Sequence, residues 1–137
     1  MSRPAARFAW LLLPISGALA VAAFAPLGWF PVACLSLLPL FYYWQQDTPG
    51  QALRHGLLFG LGFFGAGISW VFVSVHVYGH VPVAAAVPVT VVVVLFLSLY
   101  PALLGYLFNR FLPRASWSVL VLAYPAGWAL SEWFRKW

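Results

Sequence analysis

The sequence predicts an all-α fold, a polytopic bundle of about five membrane-spanning helices built as one domain over residues 1–137. Three observations carry this expectation. Apolar residues make up 64% of the chain and charged residues 7%, with a mean hydropathy of +0.94, which leaves too little polar surface to face water. The apolar residues fall in runs close to the ~20 residues that a helix needs to cross a bilayer. These runs do not alternate: Val91-Val92-Val93-Val94-Leu95-Phe96-Leu97 is apolar at every position, whereas a barrel strand would place polar residues at every second one.

The first span is expected over residues 8–25, behind Arg3 and Arg7. A secretory signal peptide begins in the same way, and Ala23-Phe24-Ala25 resembles a cleavage site. Pro26 follows at once, its fixed φ and missing N–H suit a peptidase cleft poorly, and a retained span is the better reading. The second span, 29–44, follows the Pro26-Leu27-Gly28 turn and ends in Phe41-Tyr42-Tyr43-Trp44, an aromatic cluster of the headgroup level. After the polar Gln45-Gln46-Asp47, the stretch Thr48-Pro49-Gly50-Gln51 places Thr at the N-cap, Pro at N1 and Gln at N3, a capping-box start for the third span, 49–74.

Span three carries Gly56, Gly60, Gly62, Gly65 and Gly67. Gly56 and Gly60 are spaced as GxxxG, and Gly62, Gly65 and Ser69 form a second small face, so a central helix packed on two sides is expected. Residues 75–81 make a short connection to the fourth span, 82–108, in which Pro88 and Pro101 are expected to kink the helix. The fifth span, 116–133, leads to Glu132, Arg135 and Lys136. No internal repeat interrupts this order.

Basic residues mark topology rather than a nucleic-acid surface, because the net charge of +5 is scattered and forms no stripe. Arg3, Arg7, Arg54, Arg110 and Arg114 fall on one side, Arg135 and Lys136 on the other, which favours a cytoplasmic N-terminus and an outward 75–81 connection.

The chain offers little chemistry of its own. Gly60-Leu61-Gly62-Phe63-Phe64-Gly65 fits the dinucleotide pattern GxGxxG, but mid-helix N–H groups are already bonded and cannot hold a pyrophosphate. Cys34, the single cysteine, has neither base nor cation beside it and reads as an inert buried thiol. Asp47 and Glu132, the two acidic residues, are too far apart in sequence to act as a carboxylate pair, and Glu132 is expected to pair with Arg135 or Lys136. Ser131 has no histidine nearby and no triad order is recognisable. His76 and His80 flank Tyr78 in the outward connection without a carboxylate or thiol, so no metal site is expected and contact with lipid headgroups is the simpler reading. Catalytic residues and cofactors are expected to be absent.

The run Gly60 to Pro82, GLGFFGAGISWVFVSVHVYGHVP, closely resembles the apolipoprotein N-acyltransferase family. The resemblance extends to Phe24-Ala25-Pro26 with Trp29-Phe30-Pro31, to Ser98-Leu99-Tyr100-Pro101, and to Pro125-Ala126-Gly127-Trp128 leading into Ser131-Glu132-Trp133-Phe134-Arg135. It implies the leading membrane part of an inner-membrane enzyme whose members continue into more helices and a periplasmic nitrilase-like domain. There a Glu-Lys-Cys set takes an acyl chain from phospholipid and passes it to the N-terminal cysteine amine of a lipoprotein. No position here matches that set. The resemblance therefore implies a truncated, frame-shifted or deliberately shortened gene, inactive alone, whose partners are the phospholipid bilayer and, through the missing domain, a lipoprotein. Within it, His76, Tyr78 and His80 are placed at an outward lipid or substrate entrance. The competing class is a freestanding membrane scaffold or small transporter subunit associating through Gly56 and Gly60. The predicted topology has a direct check: a reporter fused after Trp137 should read an outward location, and cytoplasmic activity of that fusion would reverse it.

Overall fold

The computed structural model describes residues 3–23, 30–112 and 122–135. Among them the chain is helical throughout, in the order α1 (Arg3–Ala20), continued by a 3₁₀ turn (Val21–Ala23), α2 (Phe30–Gln46), α3 (Pro49–Gly67), α4 (Ser69–Val73), a π-helical turn (Ser74–Tyr78), α5 (Val83–Phe111) and α6 (Tyr124–Arg135). No strand occurs among the described residues. The end of the expected first span, the turn after it and the start of the fifth lie outside them.

The helix lengths differ from five uninterrupted spans. Among the described residues only α5, with 29 residues, is by itself long and apolar enough to cross a bilayer; at 1.5 Å per residue it reaches about 44 Å. The 17 residues of α2 reach about 25 Å, short of the ~30 Å hydrocarbon core. The apolar part of α1 is limited to Phe8–Ala20. The expected third span is broken, since Pro49–Gly67 and Val71–Tyr78 are bent by 51° and would make a second crossing only as one bent element. The break follows Gly65 and Gly67, residues that weaken a helix interior. The Val71 N–H then bonds the Ile68 carbonyl three residues back at 2.8 Å, a tightened turn. By contrast α5 runs through Pro88 and Pro101 as one continuous helix.

At the start of α3 the Gln51 side-chain oxygen accepts the Thr48 N–H at 3.0 Å and the Thr48 hydroxyl at 3.2 Å. That arm satisfies an N–H the helix itself leaves open and lets the chain turn sharply from α2 into α3.

α3 is the central element, and its most extensive contacts are with α5 and α1. Gly56 and Gly60 are buried against α5. A Cβ on Gly56 would collide with the Pro101 carbonyl, and one on Gly60 would come within 2.9 Å of the Pro101 ring and of Ser98. On the opposite side, a Cβ on Gly62 would strike the Pro14 backbone of α1, and one on Gly17 of α1 would strike the Phe59 carbonyl. Two residues along a helix rotate by about 200°, so Gly60 and Gly62 look in opposite directions and serve different neighbours. Gly67 meets only Val21, at 3.5 Å, and Gly65 meets nothing within 4 Å. With α5 occupying the Gly56 and Gly60 face, that face is not free to meet a second copy of the chain.

The core gathers Ala9, Leu13 and Ala20 of α1, Leu40, Phe41, Tyr43 and Trp44 of α2, Ala52 and Phe59 of α3, and Tyr124 of α6. Outside it, large apolar side chains face outward, including Phe8, Trp10 and Leu11 on α1 and Val92, Phe96 and Leu103 on α5. The most apolar stretch of α5 is only 11% buried, an exterior suited to hydrocarbon. Cys34 also belongs to this exterior: it is exposed, correcting the expected buried thiol. Leu35 and Leu38 beside it on α2 are exposed too.

Replacing glycine by alanine separates these environments. Gly56→Ala should destabilise the bundle by about 1–3 kcal/mol through overpacking, whereas Gly65→Ala should be neutral or stabilise it by up to about 1 kcal/mol. Unfolding midpoints in detergent micelles, followed by tryptophan fluorescence, would show the difference.

Candidate functional site

Two polar regions lie at opposite ends of α3. The first is the connection between α4 and α5, which holds His76, Tyr78 and His80. Ser74–Tyr78 winds as a π-helical turn, a widened geometry found often at functional positions. The Gly79 N–H closes it on the Ser74 carbonyl at 3.0 Å. His80 follows with φ 52°, left-handed backbone that costs a non-glycine residue free energy and is held by its surroundings.

His76 ties this connection together. Its ring stacks on Phe72, with centroids 5.5 Å apart, and its Nδ1 lies 2.8 Å from the Val81 carbonyl. A carbonyl only accepts, so Nδ1 carries the proton, and in the neutral ring Nε2 keeps the lone pair. His76 is half-buried, while Val77, Tyr78, Gly79 and His80 are exposed, Tyr78 by 79%. The region thus offers an exposed phenol and imidazole beside apolar surface, which suits the boundary between hydrocarbon and headgroups. No group of three or more His, Cys, Asp or Glu that could hold a metal occurs among the described residues.

The second region was not apparent from sequence. Asp47, which reads as a loop residue, is fully buried, and His55 on the second turn of α3 is nearly so. His55 Nδ1 lies 2.5 Å from Asp47 Oδ2, a short, charge-assisted contact in which the imidazole N–H donates. The Tyr43 ring packs 5.2 Å from the His55 ring. Beside them the Trp44 Nε1–H donates to the Ala52 carbonyl at 3.1 Å, and Trp44 fills the space in front of Gly105, where a Cβ would come within 2.6 Å. The one available clue was that an Asp lies eight residues before a His across a capped turn, a separation that lets an α2–α3 corner bring them together. Hydropathy alone assigns Asp47 to a polar loop and His55 to the start of the third span, with nothing to pair them.

The remaining polar candidates are internal to their helices. Ser131 donates to the Trp128 carbonyl at 2.8 Å, as Ser98 does to Val94 at 2.7 Å, so these hydroxyls are engaged with their own backbone. The expected partners of Glu132 fall on side chains outside the described residues. The GxGxxG stretch lies wholly inside α3.

The described residues are helical, with an apolar exterior and a glycine-mediated core, the character of a membrane protein. Comparison with known proteins gives the family. The description of the apolipoprotein N-acyltransferase N-terminal domain matches residues 16–137. An apolipoprotein N-acyltransferase of Methylococcus capsulatus is 45% identical over 132 residues, covering 94% of this chain and 26% of the relative. That of Coxiella burnetii is 43% identical over 127 residues, covering 92% and 26%. That of Vibrio cholerae is 37% identical over 138 residues, covering 100% and 26%. The chain therefore belongs to the apolipoprotein N-acyltransferase family and spans about a quarter of the length of the relatives it matches.

The His76 contact is open to test. His76→Ala should speed amide exchange over residues 79–81 by about tenfold, the equivalent of one lost hydrogen bond, whereas Tyr78→Ala should leave that exchange unchanged. Mass-spectrometric hydrogen exchange of the chain in micelles would distinguish the two.

Proposed function

We propose that this chain is the membrane domain of an apolipoprotein N-acyltransferase. In this role it holds the acylating domain at the outer face of a bacterial inner membrane and brings phospholipid to it. The observation that carries the reading is membership in that family over nearly the whole chain, with alignment confined to about a quarter of each relative. The fold is consistent with such a division of labour, because the described residues supply packing surfaces and an apolar exterior rather than a nucleophile with its base.

In this reading five segments cross the membrane, with α3, α4 and the π-turn acting as one bent crossing and the N-terminus cytoplasmic. His76, Tyr78 and His80 then sit at the outer surface, where phospholipid headgroups and the lipoprotein terminus arrive. Acyl transfer itself is the work of the remainder of the enzyme, and the chain alone is inactive.

A chimera tests the assignment. Residues 1–137 replacing the matching quarter of the Methylococcus capsulatus relative should restore acylation of a diacylated lipopeptide by phospholipid. A chimera that accumulates in the membrane yet transfers no acyl chain would overturn it. In the working chimera, replacing His76, Tyr78 and His80 together by Ala should lower the rate by about tenfold, as loss of positioning contacts does. An unchanged rate would remove the entrance role while leaving the family assignment standing.

A further inference from the structure

We propose that the buried Asp47–His55 contact is a latch between the end of α2 and α3 that the docking of α6 strengthens. The carboxylate stands at the end of α2 and is fully buried. From α3 it accepts the His55 Nδ1–H at 2.5 Å. The Tyr43 ring of α2 packs 5.2 Å from the His55 ring, and Tyr124 of α6 is buried against Trp44 at the same corner. Side chains of three helices thus gather at the corner that holds this one buried contact.

The α6 contribution is held by rings. Tyr124 stands 5.3 Å from Phe41, 5.8 Å from Trp44 and 4.9 Å from Phe108, centroid to centroid. Four residues on, Trp128 meets Phe59 edge to face at 5.7 Å. Docking of α6 therefore places an aromatic lid over the corner formed by α2 and α3.

Hydrogen-bonded and charged groups attract each other more strongly where water is excluded. The α2–α3 corner supplies Tyr43 and His55 by itself but leaves its α6 side wet. Seating Tyr124 removes that water and strengthens the Asp47–His55 contact. By linkage, a formed Asp47–His55 contact favours a seated α6 to the same degree. The latch lies at the start of α3, remote from the π-turn beyond its other end, and does not depend on the acyltransferase reading.

Reciprocity supplies the test, on the full chain in detergent micelles. Under diethylpyrocarbonate, exposed His80 serves as the internal standard, and wild-type His55 should be modified at least about tenfold more slowly, as mass spectrometry of the peptides would read. In Tyr124→Ala, His55 should approach the rate of His80. In the opposite direction, the near-isosteric Asp47→Asn should speed amide exchange in α6, residues 124–135, by about tenfold, the scale of one charge-assisted hydrogen bond. Exchange at the α3–α5 contact around Gly56 and Gly60 should stay at the wild-type rate. Equal His55 reactivity in wild type and Tyr124→Ala, or unchanged α6 exchange in Asp47→Asn, would overturn the latch. Should Tyr124→Ala lose its fold, seen as lost protection around Gly56 and Gly60, the Asp47→Asn exchange decides alone.

Discussion

Between helices in lipid there is no hydrophobic drive, because a leucine gains nothing by leaving hydrocarbon for a neighbouring helix. The bundle depends instead on how closely backbones approach, and α3 is where they do. Gly56 and Gly60 let the Pro101 turn of α5 settle against α3, and Gly62 with Gly17 lets α1 do the same from the other side. Each missing Cβ brings backbone atoms into dispersion contact across the interface. Pro101 adds a rigid ring at the centre of the α3–α5 contact while α5 continues through it. The arrangement of the other elements follows from this sandwich, since α2 and α6 occupy the space that α1, α3 and α5 leave.

Polar groups follow a second rule: those taken out of water must be matched. At the α2–α3 corner the Gln51 arm satisfies the Thr48 N–H, Trp44 turns its indole N–H onto the Ala52 carbonyl, and His55 meets Asp47. Trp44, Tyr43 and Tyr124 form the walls. An unmatched carboxylate in such a place would cost several kcal/mol, so burial and pairing are two sides of one arrangement. At the far end of α3 the constraint is relaxed, and Tyr78 and His80 stand in the open on a turn that the His76–Val81 contact helps to hold.

These two ends divide the molecule's work. The buried corner specifies how helices meet, and the exposed turn presents polar groups beside apolar surface. Neither includes an activated nucleophile with its base among the described residues.

Composition and pattern by themselves determined that this chain is helical and lipid-facing, how α3 is capped, and which family it resembles. Each of these rests on local information: hydropathy over a turn or two, a Thr-Pro-Gly-Gln cap, or a contiguous run of residues. Tertiary structure decided what depends on neighbours distant in sequence. It buried Asp47 against His55, set Gly56 and Gly60 on α5 but Gly62 on α1, left Gly65 in open space, and turned Cys34 outward. It also bent the third segment after Gly67 and extended α5 past its expected end to Phe111. Whether a small or polar side chain is buried is a property of the surface brought against it, and only packing brings that surface there.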